Sequence, residues 1–108
     1  KLLIGGQSEP DGPLKIKKGR YMASIQTDPE QAAYDVSYRI EQNDPKGYIA
    51  RIVGSSYKLP AIYWDDGVSY TDSETEMSFW DVGTVVVIAT VTDINGNRFQ
   101  LSQEVIIE

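Results

Sequence analysis

The pattern of apolar and polar positions is organised around the last quarter of the chain. The stretch GTVVVIATVTDINGN, Gly83 to Asn97, and the return run Arg98 to Ile107 read as a long central strand, a tight turn and a closing strand. Val85, Val86, Val87, Ile88 and Val91 are β-branched, which suits a pleated, buried surface and disfavours a helix. Asn95-Gly96 marks the turn, because both residues tolerate positive φ. Two registers compete. A two-residue loop sets Val91 opposite Gln100 and Thr92 opposite Phe99, hiding the apolar set of the second strand behind threonines. A three-residue loop (Ile94, Asn95, Gly96) pairs Val91 with Phe99, Ala89 with Leu101 and Val85 with Val105. A slip of one residue turns every side chain to the other face, so the pattern selects the three-residue loop with Gly96 left-handed.

The same period runs through the earlier chain. Leu2 to Ile4 is a short apolar patch, and Gly5 to Pro13 (GGQSEPDGP) has the composition of a linker. Residues 1–13 are therefore expected to be a linker or a short N-terminal strand, and residues 14–108 the domain proper. Leu14 to Lys17 suits an edge strand guarded by Lys15, Lys17 and Lys18. Arg20 to Thr27 places Tyr21, Ala23 and Ile25 on one face. The segment TDPEQAAYD has room for one helical turn at most. Val36, Tyr38 and Ile40 point inward while Ser37, Arg39 and Glu41 point outward. NDPKG is a turn in which Pro45 pre-sets φ and Gly47 supplies the left-handed corner, with Tyr48 to Val53 as the return strand. Ala61 to Trp64 and Val68 to Thr71 read as short strands. From Glu74 to Trp80 the alternation resumes, with Thr75, Met77 and Phe79 on one face. Some seven to nine short strands with almost no helical periodicity predict an all-β, two-sheet sandwich.

Composition narrows the function more than the fold. The chain has 108 residues, enough for one modest core. It has no cysteine, hence no disulfide and no thiolate metal site, and this leaves the compartment open. It has no histidine, the commonest general base near neutral pH and the commonest metal ligand. Ten basic and sixteen acidic residues give a net charge of −6, the wrong sign for a nucleic-acid backbone partner. No apolar run approaches the ~20 residues of a membrane-spanning helix. The start, KLLIGG, is too short for a signal peptide and lacks Met, so a mature or excised chain is expected.

The order of certain residues resembles bacterial immunoglobulin-like modules of the group 2 type, which are repeated in bacterial surface proteins. The resemblance rests on Gly19, Ala23 and Ile25, Pro29, Val36 and Tyr38, Gly67, Gly83-Thr84, Val87, Ala89, Asp93 and Gly96. Tyr38 stands where that group more often has Trp, and the interval from Val53 to Val68 is longer than usual there. The stretch IYWDDG followed by DVGTVVVIATVTDINGN also looks like a polycystic-kidney-disease-type sandwich. These likenesses cover about 80 residues and imply an immunoglobulin-like β-sandwich. They do not imply an activity, because fold does not fix function.

Candidate chemistry gathers between positions 57 and 80. Trp64, Trp80, Tyr57, Tyr63 and Tyr70 lie among Asp65, Asp66, Asp72, Glu74 and Glu76. Aromatic faces flanked by carboxylates suit a sugar ring, whose C–H groups stack while its hydroxyls donate to the acids. The competing reading makes the aromatics core and the acids solvated turn residues. Asp65, Asp66, Asp72 and Glu74 are also the candidate ligands for Ca²⁺, which takes six to eight oxygens. The DINGN turn lacks the later acids of a calcium loop. No acid pair is marked for glycoside hydrolysis, and Ser55, Ser56, Ser69 and Ser78 have no histidine partner. No catalytic residue and no organic cofactor is expected. Val86 and Ile88 point away from the core if Val85, Val87, Ala89 and Val91 face it. With Met22 or Ile106 they would form an exposed apolar strip for a neighbouring module, unless a loop covers them.

The expectation is therefore a non-catalytic spacer and interaction module of a larger bacterial extracellular, cell-surface or phage structural protein. Its partners would be neighbouring domains, a glycan or a surface protein, with no nucleic acid and no membrane insertion. The alternatives are a carbohydrate-binding accessory module of a secreted glycan-active protein and an intracellular interaction domain.

Overall fold

The computed structural model describes residues 1–26, 33–42, 47–55, 75–93 and 95–108. Among them are eight strands and no helix: β1 (Leu2–Ile4), β2 (Leu14–Ile16), β3 (Gly19–Ile25), β4 (Ala33–Gln42), β5 (Ala50–Ser55), β6 (Thr75–Phe79), β7 (Gly83–Asp93) and β8 (Arg98–Ile107). They form two four-stranded sheets, β1-β3-β6-β5 and β2-β8-β7-β4, packed as a β-sandwich. The strands expected at Ala61 to Trp64 and Val68 to Thr71 lie outside the described residues.

β7 lies between β8 and β4 in its sheet, as its Val-rich composition requires. Val85, Val87, Ala89 and Val91 enter the core together with Val36, Val105 and Ile107, and the other sheet supplies Leu2, Ile4, Ala23, Met77 and Phe79. Each fully buried valine contributes roughly 1.5–3 kcal/mol by leaving water. Tyr21 meets the Phe79 ring edge-on, with centroids 5.8 Å apart. Its hydroxyl donates to the Lys17 carbonyl at 2.8 Å, so the ring packs inward and the polar tip stays satisfied. Gly5, at φ 59°, passes so close to this ring that a Cβ would lie 2.9 Å from Tyr21 Cδ1.

The hairpin adopts the three-residue register. Val91 pairs with Phe99, Ala89 with Leu101 and Val85 with Val105, while Thr92 faces Arg98. Gly96 has φ 85°, and the loop closes through Asp93 N–H to the Asn97 carbonyl at 2.9 Å and Gly96 N–H to the Asp93 carbonyl at 3.1 Å.

The structure differs from the sequence-based expectation at three places. β4 begins at Ala33 rather than Val36, because β7 is long enough to pair with it as far as Asp93, across a register shift between Ala33 and Asp35. β5 does not fold back on β4: it pairs with β6 in the opposite sheet. The Gln42 side chain makes this crossing possible. Its Oε1 accepts from Ile49 N–H at 2.8 Å and Ala50 N–H at 3.2 Å, and its Nε2 donates to the Ala50 carbonyl at 2.8 Å. Finally, the linker-like residues 5–13 carry the chain from β1 in one sheet to β2 in the other. Gln103, in an inward slot between Leu101 and Val105, holds this crossing. Its Oε1 accepts from Glu9 N–H at 2.9 Å, and its Nε2 donates to the Gly12 carbonyl at 3.1 Å and to the Glu104 carbonyl at 2.9 Å.

These pairings fix the two ends of the body, whose long axis is 45 Å. β1 is antiparallel to β3 and starts beside Gln26, and Gln26 N–H donates to the Lys1 carbonyl at 2.8 Å. β2 is parallel to β8. β8 runs towards the opposite pole, where Glu108 N–H donates to the Ile16 carbonyl at 2.8 Å.

Candidate functional site

The outer face of the β1-β3-β6-β5 sheet carries the one described member of the aromatic candidates. Met77 and Phe79 of β6 are fully buried, so Glu76, Ser78 and, just past the strand, Trp80 take the outward positions. Arg20 of β3 and Arg51 of β5 both pair with Ser78, one from each side. Partners in register share a face, so the two arginines flank the serine. Each then leans along β6 in a different direction. Arg20 Nη1 lies 3.2 Å from Glu76 Oε1, whereas the Arg51 guanidinium stands 5.9 Å from the centroid of the Trp80 ring. Trp80 N–H donates to the Ile49 carbonyl at 3.0 Å, prolonging the β5–β6 ladder by one step. Trp80 remains 43% exposed.

At the same pole an open groove of 560 Å³ lies between the end of β4, Tyr48 and the start of β7. Tyr48 is 78% exposed. Of its polar groups, Glu41 pairs with Arg39 at 3.1 Å and the Gln42 amide is committed to the backbone of Ile49 and Ala50, while Thr84 and Tyr48 contribute hydroxyls. Val86 lines this groove. Ile88 is only 7% exposed, although it faces away from the central core between Arg39 and Ser102. The outward apolar surface on this sheet is thus Val86 with Ile106, both half-buried. Met22 belongs to the outer face of the other sheet, paired with Glu76, and is not part of that strip.

The opposite pole carries the DINGN turn. Asp93 is buried in the inward slot at the end of β7. Its Oδ1 accepts from Asn95 N–H at 2.9 Å and Asn97 N–H at 2.8 Å, and its Oδ2 accepts from Asn97 Nδ2 at 3.2 Å. The Asn97 backbone N–H lowers the carboxyl pKa most; burial opposes it, and the Asn97 side chain with the Asn95 and Gly96 backbone adds to the lowering. Both oxygens serve the turn, which gives this aspartate a structural task.

Trp64, Tyr57, Tyr63 and Tyr70, and the candidate calcium ligands Asp65, Asp66, Asp72 and Glu74, lie outside the described residues. Among the described residues no three acids gather in a metal-binding arrangement. The residues that sequence reasoning missed are Arg20, Arg51 and Ser78 beside Trp80, and the two inward glutamines. The glutamines left a signal, because each interrupts an apolar alternation. The arginines left none: only the strand register brings them together. No family model, curated protein or solved structure matches the chain.

Proposed function

We propose that this domain is a non-catalytic, immunoglobulin-like spacer and interaction module of a larger bacterial extracellular, cell-surface or phage structural protein. The observation that supports this reading is the placement of the first and last strands. β1 begins at one pole and β8 finishes at the other, each hydrogen-bonded to a neighbour at its end. Tension between the ends then acts along the strands. It loads the backbone bonds of β1 with β3 and of β2 with β8 in shear, so that many must fail together. The crossing between β1 and β2 is fastened to β8 by Gln103, which keeps slack out of that path. A module of this kind sets adjoining parts at opposite poles of a body 45 Å along its longest axis.

The test is to stretch a tandem polyprotein of this chain by its ends in a force spectrometer. Each copy should resist and then rupture in one event that releases the whole domain, and Gln103→Ala should lower the rupture force. Smooth extension without rupture events would rule out a load-bearing spacer.

A further inference from the structure

We propose that the outer face of the β1-β3-β6-β5 sheet binds a uronic-acid unit of a polysaccharide. The sugar carboxylate sits between Arg20 and Arg51 above Ser78, and the sugar ring lies against the open part of Trp80. This goes beyond a spacing role and does not depend on it.

Arg20 and Arg51 flank β6, so their Cα atoms stand about 9.5 Å apart, twice the spacing of neighbouring strands. Arginine side chains are long enough to swing from those two positions onto one planar carboxylate, with the Ser78 hydroxyl between them as a further donor. Guanidinium is the group suited to this task, because its fixed fork matches carboxylate geometry. In the free protein the two guanidinium groups lean apart, Arg20 towards Glu76 and Arg51 towards Trp80, so the ligand carboxylate draws both in over Ser78. Among the described residues Arg51 approaches an aromatic ring and pairs with no acid, which leaves its N–H donors to a ligand. Lys17 and Lys18, both exposed in the approach to β3, add positive charge beside Arg20.

One observation selects the ligand class. The exposed Trp80 beside Arg51 offers an aromatic surface for sugar C–H groups next to the anion position, the pairing that a pyranose carboxylate presents. The net charge of −6 opposes every polyanion, a polyuronate included, so the attraction is local to this patch. Glu76 tempers the site: it competes with the ligand for Arg20.

The experiment uses the 108-residue chain labelled with ¹⁵N, following the indole N–H signal of Trp80, assigned by its loss in Trp80→Phe. The probes are oligogalacturonate, the same oligomer as its methyl ester, and inorganic sulfate. Oligogalacturonate should shift the Trp80 signal saturably, with a Kd on the order of 1 mM or tighter. Arg20→Ala and Arg51→Ala should each weaken it by about tenfold, as expected for loss of a charge-assisted contact. Glu76→Gln should tighten it, and added salt should weaken it. All three substitutions are at the surface, and an unchanged amide spectrum away from the patch verifies the fold. The proposal is overturned if oligogalacturonate gives no shift or if the methyl ester binds equally well. Wild-type affinity in both arginine variants also overturns it. If sulfate alone saturates the signal as tightly as the oligomer, the face is a bare anion site and the sugar assignment fails.

Discussion

Two connections in this sandwich, β7 to β8 and β4 to β5, both contain Gly and Asn or Asp, yet they send the chain in opposite ways. After β7 the chain turns back within its own sheet, and the two strands pair along their whole length. After β4 it leaves the sheet and enters the other one. In each case a polar side chain occupies the final inward slot of the strand. Asp93 at the end of β7 accepts the N–H groups of its own loop. Gln42, opposite Val85 at the end of β4, has both a donor and an acceptor, and uses them on the backbone of Ile49 and Ala50. A carboxylate can only accept, so it gathers the N–H groups of a turn. An amide can imitate a strand's backbone, so it substitutes for the missing ladder partner at a change of sheet. Gln103 does the same at the other crossing, for Glu9 and Gly12.

This contrast can be broken most severely at Gln42. Gln42→Ala leaves three backbone groups of the fully buried residues Ile49 and Ala50 without their partner, and we expect a loss of about 3 kcal/mol in urea unfolding. Gln42→Glu sharpens the comparison. It keeps the acceptor and removes the donor, so it should recover part of that loss. A Gln42→Ala variant as stable as the wild type would show that the amide is incidental to the crossing. A smaller effect is expected at the other connection. Gly96→Ala forces a side chain into the left-handed region at φ 85° and should cost roughly 1 kcal/mol, read from the same unfolding curves.

The smallest effect concerns the charge on Asp93. Its folded pKa lies below the ordinary aspartate value. The stability it supplies is therefore complete above the unfolded value of about 4 and is lost as pH falls through the lowered folded value. Asp93→Asn should be less stable than the wild type at pH 7, and the gap should narrow on acidification towards pH 2. A gap of constant size would mean that the turn depends on shape alone.

The same contrast explains what could be read in the chain before its coordinates. The β7–β8 pairing was legible because β7 is rich in β-branched residues and only one loop length brings Val91, Ala89 and Val85 opposite apolar partners. Alternation also assigned the faces of Val36, Tyr38, Ile40, Met77 and Phe79. It could not assign β5 to a sheet. A period of two tells which face a side chain takes and says nothing about which strand lies alongside. For the same reason the parallel pairing of the three-residue β2 with β8 was out of reach. Trp80 stood out as an aromatic among acids. Its arginine neighbours come from positions 20 and 51, and no local pattern joins them.

The first sixteen residues shield both sheets at once: Leu2–Ile4 covers the flank of β3, and Leu14–Ile16 covers the flank of β8. Both are outer strands of only three residues, and so short an edge offers a foreign strand little to pair with. The leading segment therefore acts as a hem, finishing one border of each sheet with a single short piece of chain.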